Sequence, residues 1–223
     1  MDSLIVRNLG DQLVDLVRNR ILSGAASPDL PIRQDALAAE LGVSKIPLRE
    51  ALAKLEEDGL LVSRANRGFF VRPLSRPEAE EVYALRLALE PEAVALASEQ
   101  ASDEQRSEAV QAQALLDRLT NEHDESVGAL NRAFHMSLFV PCGRPITVNI
   151  LTRLNILAER YARKHLEPLG RDERANHEHR EMLEAWLSGE ADTAAALTKE
   201  HIEQTLDDLR RQLQDSRKNE EPA

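Results

Sequence analysis

The stretch LGVSKIPLREALAKLEEDGLL, residues 41–61, permits few arrangements of the chain around it. The preceding RQDALAAELG places Leu37, Ala38 and Leu41 on the inner side of a short helix, and Gly42 ends it at the position where a left-handed φ is favoured. Ser44 is a natural N-cap, and Pro47 fits the first turn of the helix that follows. The spacing therefore predicts two helices joined by a tight turn, the second running to about Asp58 and stopping at Gly59. Upstream, Asp11–Leu22 carries apolar residues near helical spacing and ends at Ser23-Gly24, with SPDLP (27–31) read as a turn. Downstream, LLVS (60–63) and GFFVR (68–72), separated by the polar RANR, predict a β-hairpin. Three helices and a hairpin make a winged helix-turn-helix.

Beyond it the pattern changes. RPLSRPEAEE (72–81) breaks periodicity with two prolines, and Ser75 with Glu78 has the form of a capping box. Helices are expected at about 76–100, 103–120 (with Ser102 and Gln105 as a second box), 122–140, 145–166, 172–188 and 190–214. Pro141, Gly143, Pro145, Pro168, Gly170 and Gly189 mark the breaks. The expected fold is mainly α: a winged helix-turn-helix over 1–74, an all-helical antiparallel bundle over 75–214, and a polar, frayed tail over 215–223.

Charge divides the chain at the same place. Residues 1–74 hold ten Lys/Arg and ten Asp/Glu, so the remaining 18 basic and 29 acidic residues carry the whole net charge of −11. Cys142 is the single cysteine, which excludes an internal disulfide and a cysteine-based zinc finger. No apolar run approaches the roughly 20 residues of a membrane span, and the N-terminus lacks a signal-peptide layout, so a cytoplasmic protein without membrane partners is expected.

Within the second helix of the helix-turn-helix, Ser44, Lys45 and Arg49 lie at the start and Glu56, Glu57 and Asp58 at the end. Such a helix enters the major groove N-terminal end first, and a helix N-terminus favours phosphate. The charge polarity suits an end-on approach to an anion, with the acids turned away. Arg64, Asn66, Arg67 and Gly68 at the hairpin tip suit contact with a phosphate strand or a minor groove. One such domain spans few base pairs, which implies a homodimer on a near-palindromic double-stranded operator.

In the helical part, Asn131 and His135 share a stripe with Val127 and Phe139, and His179 shares one with Met182, Leu183 and Trp186. His201 sits near Leu197 on the last helix, while His177 is expected to face outward. Inward imidazoles from three helices can converge on a divalent ion, and three histidines with a side-chain oxygen suit Zn or Ni. The same spacing also fits histidines that are ordinary core residues. No inward Glu or Asp beside them is evident from spacing, which argues against a metal-dependent enzyme.

The motif IRQDALAAELGVSKIPLREALAKLEEDGLLVSRANRGFFV resembles the winged-helix domain of the GntR family of bacterial transcription regulators. That resemblance implies DNA contacts from Arg33, Lys45, Arg49 and the tip at Asn66–Gly68. Lys45 stands where the family commonly has Arg, so a point charge replaces a bidentate fork. Residues 76–214, with LRLALEPEAVALA and EHREMLEAWLSGEADTAAALTKEHI, are similar to the all-helical FCD effector domain of the FadR-like subgroup. This likeness implies a divalent metal held by Asn131, His135, His179 and His201, with Asn131 replacing the usual Asp. It also implies a small organic acid bound in the bundle, for which Arg86 and Arg153 are the candidate carboxylate partners. The expected function is a ligand-responsive transcription regulator, a repressor released by its effector. A regulator for which the metal is the signal is the alternative.

Overall fold

Leucine spacing builds the first part of the chain. In the computed structural model, α1 (Leu9–Leu22), α2 (Gln34–Glu40) and α3 (Lys45–Glu57) bury Leu13 and Val17, Leu37, and Leu48, Leu52 and Leu55. The structure describes residues 9–24, 26, 30–122, 126–166 and 171–218. The anticipated turn over 27–29, His123, the break at Pro168 and Gly170 and residues 219–223 lie outside these, as does the side chain of His165.

Gly42 has φ +66°, and the amides of Gly42 and Val43 close α2 onto the carbonyls of Ala39 (3.3 Å) and Ala38 (3.0 Å). A Cβ at Gly42 would meet nothing within 4 Å, so backbone conformation rather than space favours glycine there. Ser44 holds the N-cap position with extended backbone, but its side chain makes no capping bond. The acids at the far end of α3 have partners within the same unit. Glu56 Oε1 accepts the Ser63 amide at 2.7 Å, Asp58 pairs with Arg18 at 3.3 Å, and Glu57 pairs with Lys54 at 3.2 Å.

Strands β1 (Leu61–Arg64) and β2 (Gly68–Val71) form the hairpin, in antiparallel register from Leu61 opposite Val71 to Arg64 opposite Gly68. The turn uses positive φ at Asn66 (59°) and Gly68 (84°). Pro31 bridges Phe70 and the Ile32 amide donates to the Phe69 carbonyl at 2.8 Å, so the segment before α2 extends the sheet by a short third edge. Two residues of pairing leave no alternating pattern from which that edge could be read.

The chain divides into two compact units between Pro73 and Leu74. The second holds α4 (Arg76–Gln100), α5 (Asp103–Asn121), α6 (Val127–Phe139), a 3₁₀ turn (Val140–Cys142), α7 (Pro145–Leu166), α8 (Arg171–Leu187) and α9 (Ala191–Lys218). Its core gathers Tyr83, Phe134, Phe139, Tyr161, Trp186 and Ile202, all almost fully buried. Helix α9 runs past 214 into residues expected to be frayed. Ser102 and Gln105 complete their capping box. At Ser75 the box is half-formed: its hydroxyl accepts the Glu78 amide at 3.2 Å, but the Ser75 amide donates to the Tyr161 hydroxyl at 3.3 Å. Tyr161 on α7 in turn lies within hydrogen-bond reach of Glu78 Oε2 (2.6 Å) and the Ser75 carbonyl (3.2 Å).

Leu52 is fully buried at the centre of the first unit. Leu52→Ala should destabilise that unit by about 2–5 kcal/mol, the usual cost of such a cavity, seen as an earlier denaturant transition with the helical unit unaffected.

Candidate nucleic-acid interface and metal centre

Arg33, at the N-cap of α2, and Lys45 and Arg49, in the first two turns of α3, line one groove together with Gln34, Asp35 and Ala36. The short turn at Gly42 brings the two helix starts to this common edge. Lys45 Nζ lies 2.6 Å from Asp35, a pair exposed on both sides and therefore worth little against a competing anion. Among the described residues, Arg33 and Arg49 enter no ion pair. Ser44 is exposed beside them. At the hairpin, the guanidinium carbons of Arg64 and Arg67 lie 4.3 and 5.5 Å from the centroid of the Phe70 ring, and Asn66 and Arg67 remain exposed. Gly68, next to them, is half-buried.

In the second unit, His135 of α6, His179 of α8 and His201 of α9 converge. Their ligand nitrogens lie within 4.8 Å of one another, and all three rings are buried. His179 Nε2 and His201 Nε2 are 3.4 Å apart. Two nitrogens each about 2.0–2.1 Å from one ion in tetrahedral arrangement would be separated by about 3.3 Å. Asn131, one turn before His135, lines a small cavity together with His135 and His201, and this cavity measures about 20 Å³ as traced by the centre of a water-sized sphere. That is room for about one water or ion. His177 is exposed and faces Glu181 at 3.6 Å, as its position on the outer face predicts.

Carboxylates back two of the rings. His201 Nδ1 is 2.7 Å from Glu178 Oε2, and His135 Nδ1 is 3.4 Å from Glu90 Oε1. A carboxylate behind a histidine fixes which nitrogen carries the proton and turns the other toward a metal. Burial drives the His135 pKa down, to about 4, against the opposing pull of Glu90, so the ring is neutral at neutral pH and fit to ligate. Burial alone would raise the Glu90 pKa, but Arg86 and His135 hold it well below the usual carboxylate range. The donor set thus suits a borderline divalent ion.

The structure places the two arginines read as effector contacts differently. Arg86 lines the cavity, but the carboxylate it holds is that of Glu90 on its own helix, bound through Nε at 2.7 Å and a terminal nitrogen at 2.9 Å. Arg153 is exposed on α7 and does not line the cavity, because Leu151, Leu154 and Asn155 take the inward positions of that turn. Inward acids are also present where none was anticipated: Glu90 and Glu159 are buried, and Glu159 pairs with Arg132 at 3.0 Å. The i, i+4 spacing of Arg86 and Glu90 was the available signal. Glu178 follows His177 in HEHRE, where alternation with inward His179 masks its reach to His201.

Comparison with known proteins agrees with this architecture. Residues 9–71 match the family described as bacterial regulatory proteins, gntR family, and residues 81–204 match the FCD domain. The chain is 26% identical over 222 residues to the uncharacterized HTH-type transcriptional regulator YdhC of Bacillus subtilis (strain 168), covering 93% of this chain and 94% of that protein. It is 26% identical over 196 residues to the HTH-type transcriptional repressor GlaR of Escherichia coli (strain K12), covering 83% and 89%. Among solved structures, E. coli McbR/YncC superposes with a TM-score of 0.80 at 22% identity, over 92% of this chain and 98% of that one.

Glu90 is fully buried, and Asn155 Nδ2 also donates to it at 3.1 Å. Removing only its cation, with Arg86→Met, should cost about 3–5 kcal/mol by leaving the carboxylate uncompensated, measured as unfolding of the helical unit in chelator-treated protein.

Proposed function

The chain belongs to the GntR family of bacterial regulatory proteins, in the form that carries an FCD domain, and on that premise we propose a metal-assisted, ligand-responsive repressor. Its relatives are transcription regulators, not enzymes, and so is this chain. Among the described residues, no helix is long and apolar enough to cross a membrane.

The observation that carries the DNA reading is the groove shared by Arg33, Lys45 and Arg49, a basic edge on a protein of net charge −11. Arg49, without an ion-pair partner among the described residues, is the residue best able to give a bidentate contact to a guanine edge. Lys45 supplies a point charge to phosphate, Ser44 a short hydroxyl, and Asn66, Arg67 and Gly68 an approach to the neighbouring strand. Two copies on a near-palindromic operator give the protein its specificity, and the acidic helical unit discourages other contacts with DNA.

In the helical unit, His135, His179, His201 and the amide oxygen of Asn131 hold a divalent ion, Zn or Ni. When bound, that ion supplies a Lewis-acidic anchor for an oxygen of a small organic acid. Arg86, already engaged by Glu90, orients such a ligand only as a pair with that carboxylate. The cavity has space for about one water or ion, which favours, as a second reading, a regulator that senses the metal itself. Under that reading DNA affinity follows metal occupancy with no organic ligand added.

Selection of bound fragments from sheared genomic DNA should recover fragments sharing a two-fold-symmetric site. On such a site Arg49→Ala should cost about 1–3 kcal/mol of specific binding, and unchanged affinity would displace α3 as the reading helix. His179→Ala and His201→Ala should each lower the metal found by elemental analysis of purified protein. Equal content in both variants and the wild type would return these histidines to the core.

A further inference from the structure

Three imidazoles and an amide form a donor set without negative charge. A divalent ion placed among them adds two positive charges to a region that already buries Arg86. Three carboxylates stand close enough to answer, and their engagements differ. Glu90 is held by two bonds from Arg86 and one from Asn155, and its 3.4 Å approach to His135 Nδ1 is longer than a normal N–H···O bond. Glu159 is paired with Arg132 at 3.0 Å.

Glu178 is placed differently. Its Oε2 makes a short 2.7 Å contact to His201 Nδ1, while its cation, Arg174, is 40% exposed and divides its charge between Glu178, at 3.1 Å, and the buried Asp208. Solvent screens that arginine far more than it screens Arg86, so Glu178 keeps more of its field at the imidazole. An ionised carboxylate only accepts, so the single N–H of a neutral His201 must sit on Nδ1 and its lone pair on Nε2. Nε2 is the atom 3.4 Å from His179 Nε2, at the centre of the cluster.

We propose that Glu178 is a positioning residue for the metal: by accepting the Nδ1–H of His201 it aims Nε2 at the ion and supplies, one bond removed, the anionic character that Asn131 lacks as a direct ligand. This rests on the reading of the three histidines as metal ligands. It follows that the roles of residues 131 and 178 are coupled, a negative charge at one lessening the need for it at the other.

The test is a four-member cycle in the full chain, comprising wild type, Glu178→Gln, Asn131→Asp and the double variant, with Zn²⁺ affinity read by competition against a chromophoric chelator. Glu181→Gln, on the exposed face of the same helix, serves as control. Glu178→Gln should bind about 10–100-fold more weakly than wild type, with an altered ligand-field spectrum of the Co²⁺ form and no change for the control. In the Asn131→Asp background the same substitution should cost clearly less. Equal losses in both backgrounds, or no loss in either, would overturn the proposal while leaving the metal site standing. A wild type that binds no Zn²⁺ would remove the site and the proposal together. A reading independent of any variant is the ¹⁵N signature of His201 in the metal-free protein: protonation at Nδ1 is expected, and protonation at Nε2 would refute the assignment.

Discussion

The buried ion pair of Arg86 and Glu90 is the constraint around which the helical unit is arranged. Neither charge has water to fall back on, so each must be satisfied by neighbours fixed in place. Arg86 gives its fork to both oxygens of Glu90, α7 contributes the Asn155 amide at Oε2, and α6 sets His135 near Oε1. Pro91 follows immediately and, lacking an N–H, cannot donate to the Leu87 carbonyl one turn back, so α4 gives up a backbone bond in the turn where the side chains are most tightly held. Three helices are thereby registered against one carboxylate, and the cavity is what this registration leaves over.

The same economy of charge appears in the first unit with the opposite outcome. The acids at the far end of α3 are spent on structure, Glu56 on β1 and Asp58 on α1, while Arg33 and Arg49 have no ion-pair partner among the described residues. A domain with no net charge can present a basic edge only by turning its carboxylates to other tasks. The polarity along α3 is therefore less a gradient aimed at DNA than a division of labour between its two ends.

How much of this was legible depended on the range of the interaction. Gly42, Pro47, Ser75 and Ser102 act on their own turns, so the element boundaries near them could be read within a residue or two. The three histidines could be placed on inward stripes because helical periodicity is local. What could not be read were the groups whose positions come from packing between helices: Asn155 and Glu159 on α7, Glu178 reaching from α8 to α9, and Arg153, which differs from Arg86 only in which side of its helix is covered. Local rules also misjudged Ser75, whose expected partner for the backbone amide was displaced by Tyr161, 86 residues away.

That displacement has a mechanical consequence. Helix α7 carries Asn155, Ala158 and Glu159 at the cavity and, within a turn, Tyr161, whose hydroxyl grips the backbone of Ser75 two residues beyond the boundary between the units. The contacts at 3.2–3.3 Å are near the limit of hydrogen bonding, so α7 cannot slide by more than a few tenths of an ångström without breaking them. Ser75 is exposed and the Tyr161 hydroxyl also has Glu78 Oε2 at 2.6 Å, so losing these contacts strands no group and costs no more than an ordinary hydrogen bond, about 0.5–1.5 kcal/mol. The hydroxyl is thus a peg: the helix that lines the cavity is pinned, within one turn of that lining, to the start of α4.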